Sequence, residues 1–358
     1  MNRSTQQHES DTADEYLLAE FGRLEHRSSE RTLVLNDKAG VLAVAIAPMS
    51  DVVSSGDSWI AAEALRTRVQ TTGSAPVPFV RSGQPFDGRF TTVVARVPKN
   101  LALFEDQLAR VAGCLEPGAV VVAGGMDKHL PRGANDLLDR YVGDVHVSLG
   151  WKKARLLVAA AQARTRRNAP VPAVYAVPEL GISLENDANV FSRLRLDAGT
   201  RMLLGPLQQS PAQRVTDVGC GNGVLGIALA LALPAAQVRF VDESFMAVAS
   251  TTRNWKSVFA DRPVEVVAND GLAGIAEGSS DLVVSNPPFH SGHRIGDDTA
   301  WSFFSEARRV LTPDGSLLIV GNRHLGYHAR LRRLFPHVEQ LAASPTYVVL
   351  RAGRQVAR

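Results

Sequence analysis

At 358 residues, 45% apolar and 21% charged, the chain has the composition of a folded globular protein, and at about 150 residues per domain it should hold two domains. No apolar run approaches the roughly twenty residues of a membrane helix, and the opening MNRSTQQHESDTADEY matches neither a secretory signal nor a transit peptide, so a cytoplasmic protein without membrane partners is expected. A net charge of +3 is too small to identify a nucleic-acid binder, and Cys114 and Cys220 lack disulfide or zinc-ligand spacing, so no metal is expected.

From the N-terminus, LNDKAGVLAVAIA (Leu35–Ala47), TTVVARVPK (Thr91–Lys99) and ARVAGCLEPGAVVVAGG (Ala109–Gly125) stand out. A basic cluster follows at Lys152, Lys153, Arg155, Arg164, Arg166 and Arg167, and the Pro-rich Pro170–Pro178 reads as a connection. Beyond it strands and helices alternate, the pattern of a mostly parallel sheet covered on both faces. Strands are predicted at Arg214–Val218, Gln237–Val241, Val264–Ala268, Asp281–Ser285 and Ser316–Gly321, with helices at Gly223–Leu233, Met246–Val258 and Ala300–Leu311. The PDG of Pro313–Gly315 breaks the last helix, and Thr346–Arg351 reads as an edge or hairpin strand. From Leu317 to Arg358 there are seven arginines, Arg323, Arg330, Arg332, Arg333, Arg351, Arg354 and Arg358, against one acid, Glu339.

The three N-terminal stretches recur in order as Gly219–Ala230, Ser280–Phe289 and Ala307–Arg323, which points to tandem duplication of one α/β Rossmann-like fold. The first copy lacks the glycines and the double proline of the second. Residues 1–180 therefore read as a degenerate domain and 181–358 as the one that carries chemistry.

In the second copy Asp217 ends a strand, and Gly219, Gly221 and Gly223 lead into a helix, where they admit positive φ and close approach of a ligand. GNGVLG also fits a dinucleotide fingerprint, so a nicotinamide dehydrogenase stays open. Asp242 closes the next strand, where a carboxylate can accept ribose hydroxyls, and Asp270 follows the third at the same crevice. After the fourth strand comes SNPPFHSG. Its two prolines hold the chain open beside the crevice, so the Asn286 amide oxygen and the Pro287 carbonyl form an acceptor pair, with Pro288 as the second stiffener and Phe289 as an aromatic face. Such a set suits a flat substrate with an exocyclic amine. Two acceptors draw the nitrogen toward tetrahedral geometry and free its lone pair, and a sulfonium-borne methyl such as that of S-adenosylmethionine then needs alignment more than a base. His290 is a lesser candidate for a general base.

Asp217–Gly223, Asp242 and Asn286–Phe289 resemble the class I methyltransferases that modify exocyclic amines. NVFSRLRLDAG (Asn189–Gly199), VDESFMAVAS (Val241–Ser250), NPPFHSGH and VGNRHLGY (Val320–Tyr327) are similar to bacterial ribosomal RNA guanine-N2 methyltransferases built from two such domains. ADEYLL (Ala13–Leu18), LNDKAGVL, SGDSWI (Ser55–Ile60) and LGWKKARL (Leu149–Leu156) resemble the large-subunit type rather than its small-subunit relative. The resemblance implies action on guanine N2 in 23S rRNA, with S-adenosylmethionine as cofactor and an inactive first domain that helps hold RNA; a monomer is expected. It implies cofactor contacts at Asp217, Gly219, Gly221 and Asp242, to which the position of Gly223 and Asp270 at the same crevice adds those two, with Phe191 and Asp197 in the segment lying over the cofactor, and guanine contacts at Asn286, Pro287, Pro288 and Phe289. Phe245 stands where proline is usual, and Trp255–Ser257 departs from the pattern. A 16S target, a non-catalytic RNA-binding assembly factor, and action on adenine N6 or protein glutamine stay open beside this reading.

Overall fold

A computed structural model describes residues 11–24, 30–162, 169–287 and 297–354. They form two compact units, 1–171 and 172–358. The first unit runs α1 (Thr12–Phe21), β1 (Arg31–Leu35), α2 (Val41–Ile46), β2 (Asp51–Gly56), α3 (Trp59–Thr72), β3 (Phe79–Arg81), β4 (Phe90–Arg96), α4 (Leu101–Ala112), β5 (Leu115–Met126), α5 (Ala134–Tyr141), β6 (Val145–Val147) and β7 (Ala154–Ala160). The second opens with a hairpin, β8 (Ala173–Val177) and β9 (Ile182–Asn186), then α6 (Ala198–Gln208), β10 (Arg214–Val218), α7 (Val224–Ala232), β11 (Gln237–Asp242), α8 (Phe245–Phe259), β12 (Glu265–Ala268) and β13 (Ser280–Ser285). It ends with α9 (Asp297–Val310), β14 (Leu311–Asn322), α10 (Tyr327–Leu331), β15 (His337–Ala343) and β16 (Tyr347–Gly353).

The two sheets share one topology, β3-β2-β1-β4-β5-β7-β6 in the first unit and β12-β11-β10-β13-β14-β16-β15 in the second. Strands are parallel except for the last hairpin of each, and the order reverses between β1 and β4 and again between β10 and β13. At such a switch point the connections leave in opposite directions and open a crevice beyond the strand carboxyl ends. The expected duplication is thus a duplication of topology. The central strands are apolar on both faces because helices cover both: Leu33, Val34 and Leu35 of β1 and Val283 and Val284 of β13 are fully buried.

Two expectations need correction, and a third is decided between its alternatives. Residues of the Pro-rich Pro170–Pro178 stretch are more than a connection, since Ala173–Val177 pairs with β9. The PDG of Pro313–Gly315 does not separate helix from strand: Leu311 already pairs with Ser280, and the ladder resumes at Ser316 opposite Leu282, so the turn is looped out within β14. The first unit repeats this irregularity between Leu115 and Val120. Thr346–Arg351 lies mostly in β16, a hairpin strand as one of its two readings has it, and an inner one rather than an edge, because His337–Ala343 pairs antiparallel on its outer side.

Helix α7 is apolar on all sides because it is enclosed by the sheet, α6 and the β8–β9 hairpin. Its Gly226 lies against the Phe240 ring, so an added methyl would fall inside that ring's contact distance. Gly226→Ala should therefore destabilise the chain by about 1–3 kcal/mol in urea unfolding, despite the better helix propensity of alanine, and Phe240→Leu in the same chain should recover part of the loss.

Candidate active site

Beyond Val218 the chain turns over the end of β11, where the Gly219 and Cys220 amides donate to the Val241 carbonyl at 2.8 and 3.1 Å. Gly219, Gly221 and Gly223 all have left-handed φ, at 65°, 58° and 82°. Around Gly221 an added Cβ would meet nothing within 4 Å, so the backbone there is approachable from outside. Asp242 fastens this loop, accepting from the Gly221 amide through Oδ2 and from the Ser244 amide through Oδ1, both at 2.9 Å. Burial pushes its carboxyl above the usual range, against those backbone donors.

Asp217 is fully buried. Its Oδ2 accepts from the Gly226 amide at 2.9 Å, while Oδ1 has no partner among the described residues. Burial, seconded by the nearby Asp242 charge, pushes its carboxyl up to about 7. An orphaned buried carboxylate oxygen is costly and implies a ligand or a proton.

A network that sequence reading missed braces the loop from behind. Asn222 donates to Tyr175 Oη at 2.9 Å and to Asn186 Oδ1 at 2.8 Å, while its own Oδ1 accepts from the Val224 amide at 3.2 Å. Asn254 accepts from the Glu185 amide at 2.8 Å and donates to the Asn222 carbonyl at 2.9 Å. These buried amides tie the β8–β9 hairpin and α8 to the glycine loop.

Across the switch point, Ser285 Oγ donates to the Val218 carbonyl at 2.7 Å, which fixes the end of β13 beside the loop. Asn286 follows, half-buried, and Pro287 is buried. The Asn286 amide nitrogen donates to Asp197 Oδ2 at 3.1 Å and to Thr200 Oγ1 at 2.8 Å. Both amide protons are thereby used, and Oδ1 has no partner among the described residues, so the side chain presents an acceptor. Asp197 has a second task as the N-cap of α6, accepting from the Thr200 amide at 2.9 Å. Pro288, Phe289 and His290 lie outside the described residues, as do Arg164, Arg166, Arg167 and Arg358.

Phe191 is 54% exposed and Leu194 is 75% exposed, both on the segment leading to Asp197. Asp270 is half-buried one turn beyond β12, and the Asn269 amide donates to the Asp242 carbonyl at 2.9 Å, so both acids stand at one end of the sheet. Phe245 takes the first position of α8 behind the Ser244 cap, the place where proline also fits. Trp255 is core, with Phe240 edge-on and Phe259 tilted against it and its indole N–H on the Arg262 carbonyl at 2.8 Å. Of the C-terminal arginines, Arg351 donates to Ser210 Oγ at 2.7 Å and Arg323 to the Ser344 carbonyl at 3.2 Å, while Arg332 and Arg333 are exposed.

The ladders show what replaced these residues in the first unit. Gly40 and Gly223 both cap the helix after the first strand in left-handed conformation, five residues beyond Leu35 and Val218. Leu35 pairs with Ala95, and one residue further Arg96 stands where Asn286 stands in the second unit. The Arg96 guanidinium bonds Asp11 at 2.6 Å and Asp14 at 2.5 Å, the N-cap and third residue of α1, just as Asn286 bonds the N-cap and third residue of α6. By the same register Val34 replaces Asp217, and Gly56 replaces Asp242.

Comparison with known proteins identifies the family and the fold. Residues 2–163 match a family described as RLMG N-terminal domain, and residues 181–351 match one described as Methyltransferase small domain. The chain is 51% identical to the ribosomal RNA large subunit methyltransferase G of Pseudomonas aeruginosa over 96% of this chain and 93% of that one. It is 49% identical to the protein of that name from Pseudomonas putida over the same shares. Its fold is that of a T. thermophilus 16S rRNA N2 methyltransferase (RsmC) in complex with AdoMet and guanosine, with a TM-score of 0.81 at 21% identity, covering 99% of this chain and 93% of that one. A dehydrogenase reading of GNGVLG therefore falls, and the chain belongs to the ribosomal RNA large subunit methyltransferase G family.

Proposed function

We propose that the second unit transfers a methyl group from S-adenosylmethionine to the exocyclic N2 of a guanine in 23S rRNA, in the cytoplasm, while the first unit has no chemistry of its own and helps hold the RNA. The observation that carries this is the Asn286 amide, its nitrogen committed to Asp197 and Thr200 and its oxygen presented at the switch point beside the glycine loop. The Pseudomonas relatives, about half identical across the chain, are named for the large subunit, which favours 23S over 16S.

The residues present fit the cofactor: an approachable backbone at Gly221 flanked by Gly219 and Gly223, an orphaned Asp217 oxygen, and Asp242 and Asp270 at the same end of the sheet. Phe191 and Asp197 would close over it. When bound, the cofactor supplies a methyl already activated on a sulfonium. Asn286 Oδ1 and the Pro287 carbonyl would accept hydrogen bonds from the two amine N–H groups, while Pro288 and Phe289, outside the described residues, would stiffen that corner and stack on the base once it has left its helix. Holding both N–H bonds out of the ring plane frees the nitrogen lone pair and aligns it. The Asp197 carboxylate behind the amide favours the positive charge that develops on that nitrogen, and the proton is then lost to water.

Three outcomes are expected. With rRNA from a strain lacking this protein and labelled cofactor, label should appear in guanine, and mass-spectrometric mapping should place it in 23S rRNA; unmodified guanine would overturn the reading. Asn286→Ala should lower kcat roughly a hundredfold or more while calorimetric cofactor binding persists, and Thr200→Val, which frees one amide proton and lets the amide turn over, should cost roughly tenfold. Asp217 titrates near 7 when folded and near its ordinary carboxylate value when unfolded. Its contribution to stability is therefore present at low pH and is lost as pH rises toward and through 7. A cationic ligand favours the ionised form, so cofactor affinity should strengthen with pH up to about 7 and level off above it. Asp217→Asn should abolish that dependence, weaken cofactor binding, and melt above the wild type at pH 8.

A further inference from the structure

The link between β6 and β7 ends in a two-residue hairpin: the Trp151 amide donates to the Ala154 carbonyl at 2.9 Å and the Ala154 amide donates back at 2.8 Å. Between them Lys152 and Lys153 both hold left-handed φ, 47° and 67°. This is the type I′ pattern, which Asn-Gly adopts readily and two lysines adopt under strain. The turn sets two successive lysines at an exposed tip.

Apolar surface accompanies them. Leu149 is 90% exposed, Val147 is 39% exposed and Trp151 is 38% exposed. The indole is held in place: the Tyr16 ring lies 5.5 Å away, its hydroxyl donates to the Leu149 carbonyl at 3.0 Å, and Lys152 Nζ sits 4.4 Å from the indole centroid. Lys152 also meets Glu15 at 3.7 Å, and Arg155 is paired with Asp127 at 2.7 Å, which fixes the base of the hairpin and leaves Lys153 and the neighbouring Lys128 exposed. Met126 pairs with Ala154, so the tip stands at the carboxyl end of β5.

We infer that this hairpin is a landing site for an unpaired stretch of RNA, with a base stacked on Trp151 and Leu149 and the flanking phosphates on Lys152 and Lys153. A preorganised aromatic beside paired cations matches an alternation of flat bases and anionic phosphates, and neither a core role nor turn propensity accounts for it. The inference rests on RNA as the substrate but not on which atom is methylated.

The full-length chain and deproteinised 23S rRNA serve as the test, with filter binding between 50 and 200 mM salt. Replacing Lys152→Asn together with Lys153→Gly installs the preferred turn sequence, so the melting temperature should hold or rise; RNA affinity should nonetheless fall and the log–log salt slope should shrink by about two. Trp151→Ala should weaken binding about fivefold or more, with cofactor binding by calorimetry unchanged. Unaltered affinity and slope in the turn variant would overturn the site, and unaltered affinity in Trp151→Ala would overturn the stacking. Polyglutamate competing as well as RNA would also overturn it, since that reports charge alone. Wild-type chain that binds rRNA through this hairpin yet leaves guanine unmethylated would fail the proposed reaction and leave the landing site standing.

Discussion

One amide, that of Asn286, joins the chemistry of the second unit to its architecture. An asparagine side chain at a strand end can present either a donor or an acceptor, and the two differ only by a half-turn of a nearly symmetric group. Here the first turn of α6 makes the choice, because Asp197 and Thr200 both accept and neither can face the amide oxygen as a carboxylate or as a hydroxyl already directed elsewhere without loss. Helix capping and substrate presentation thus share one residue: the Asp197 oxygen that stops α6 from fraying is the oxygen that turns Asn286. The position of β13 is set separately by the parallel ladder to β10 and by the buried Ser285 hydroxyl on the Val218 carbonyl, so the acceptor and the glycine loop are held at a fixed spacing.

The first unit shows what the same frame becomes without that demand. At the place of Asn286 it carries Arg96, and in place of Thr200 it carries Asp14, so the neutral clasp has become an ion pair. Burial would disfavour the Arg96 charge, but Asp11 and Asp14 more than offset it and keep the guanidinium protonated. The position that in the second unit presents an acceptor is here a donor, with its hydrogen bonds directed into the first turn of α1. Asn36, at the place of Gly219, accepts a left-handed φ of 60° and pairs its amide with Gln107, at 2.9 and 2.8 Å in the two directions. A side chain therefore fills what the second unit leaves as bare backbone. The fold tolerates these exchanges, which separates what the topology requires from what the chemistry requires.

Much of this was legible from residue types whose effect is local. Glycines before an apolar helix, prolines after an apolar strand and a GVL repeated in both halves each constrain the backbone within a few residues, and the duplication, the glycine loop and the Asn286 corner follow from them. The rest depends on partners distant in sequence. Asn222, Asn186 and Asn254 are unremarkable one by one, and only the packing of α8 against β9 brings them together. The turn at Pro313–Gly315 carries a strong breaker signal, yet whether a breaker ends an element or is looped out of it depends on the ladder opposite, which Ser280 and Leu282 provide. Asp197 was placed near the cofactor by resemblance alone, and no local signal told of its grip on an amide 89 residues away. The β15 strand was missed because its exposed positions carry Glu339 and Gln340, whose polarity hides the alternation.

The two acids of the glycine loop can be weighed by the same comparison of copies. Burying a carboxylate whose second oxygen finds no donor is unfavourable, and Asp217 registers that by holding its proton up to about pH 7. If the fold needed an acid there to receive the helix amide, the first unit would need one too. It has Val34 and Gly56 at the two positions, and its β1, β2 and α2 form without them. The amides at the start of α2 are received instead by Asp37, which accepts from Val41 at 3.1 Å and Ala43 at 2.9 Å from outside the strand. Capping can thus be met without setting an acid into the strand itself. What Asp217 adds beyond capping is negative charge in a low-dielectric pocket under an approachable loop, and that charge is of use only when something positive enters.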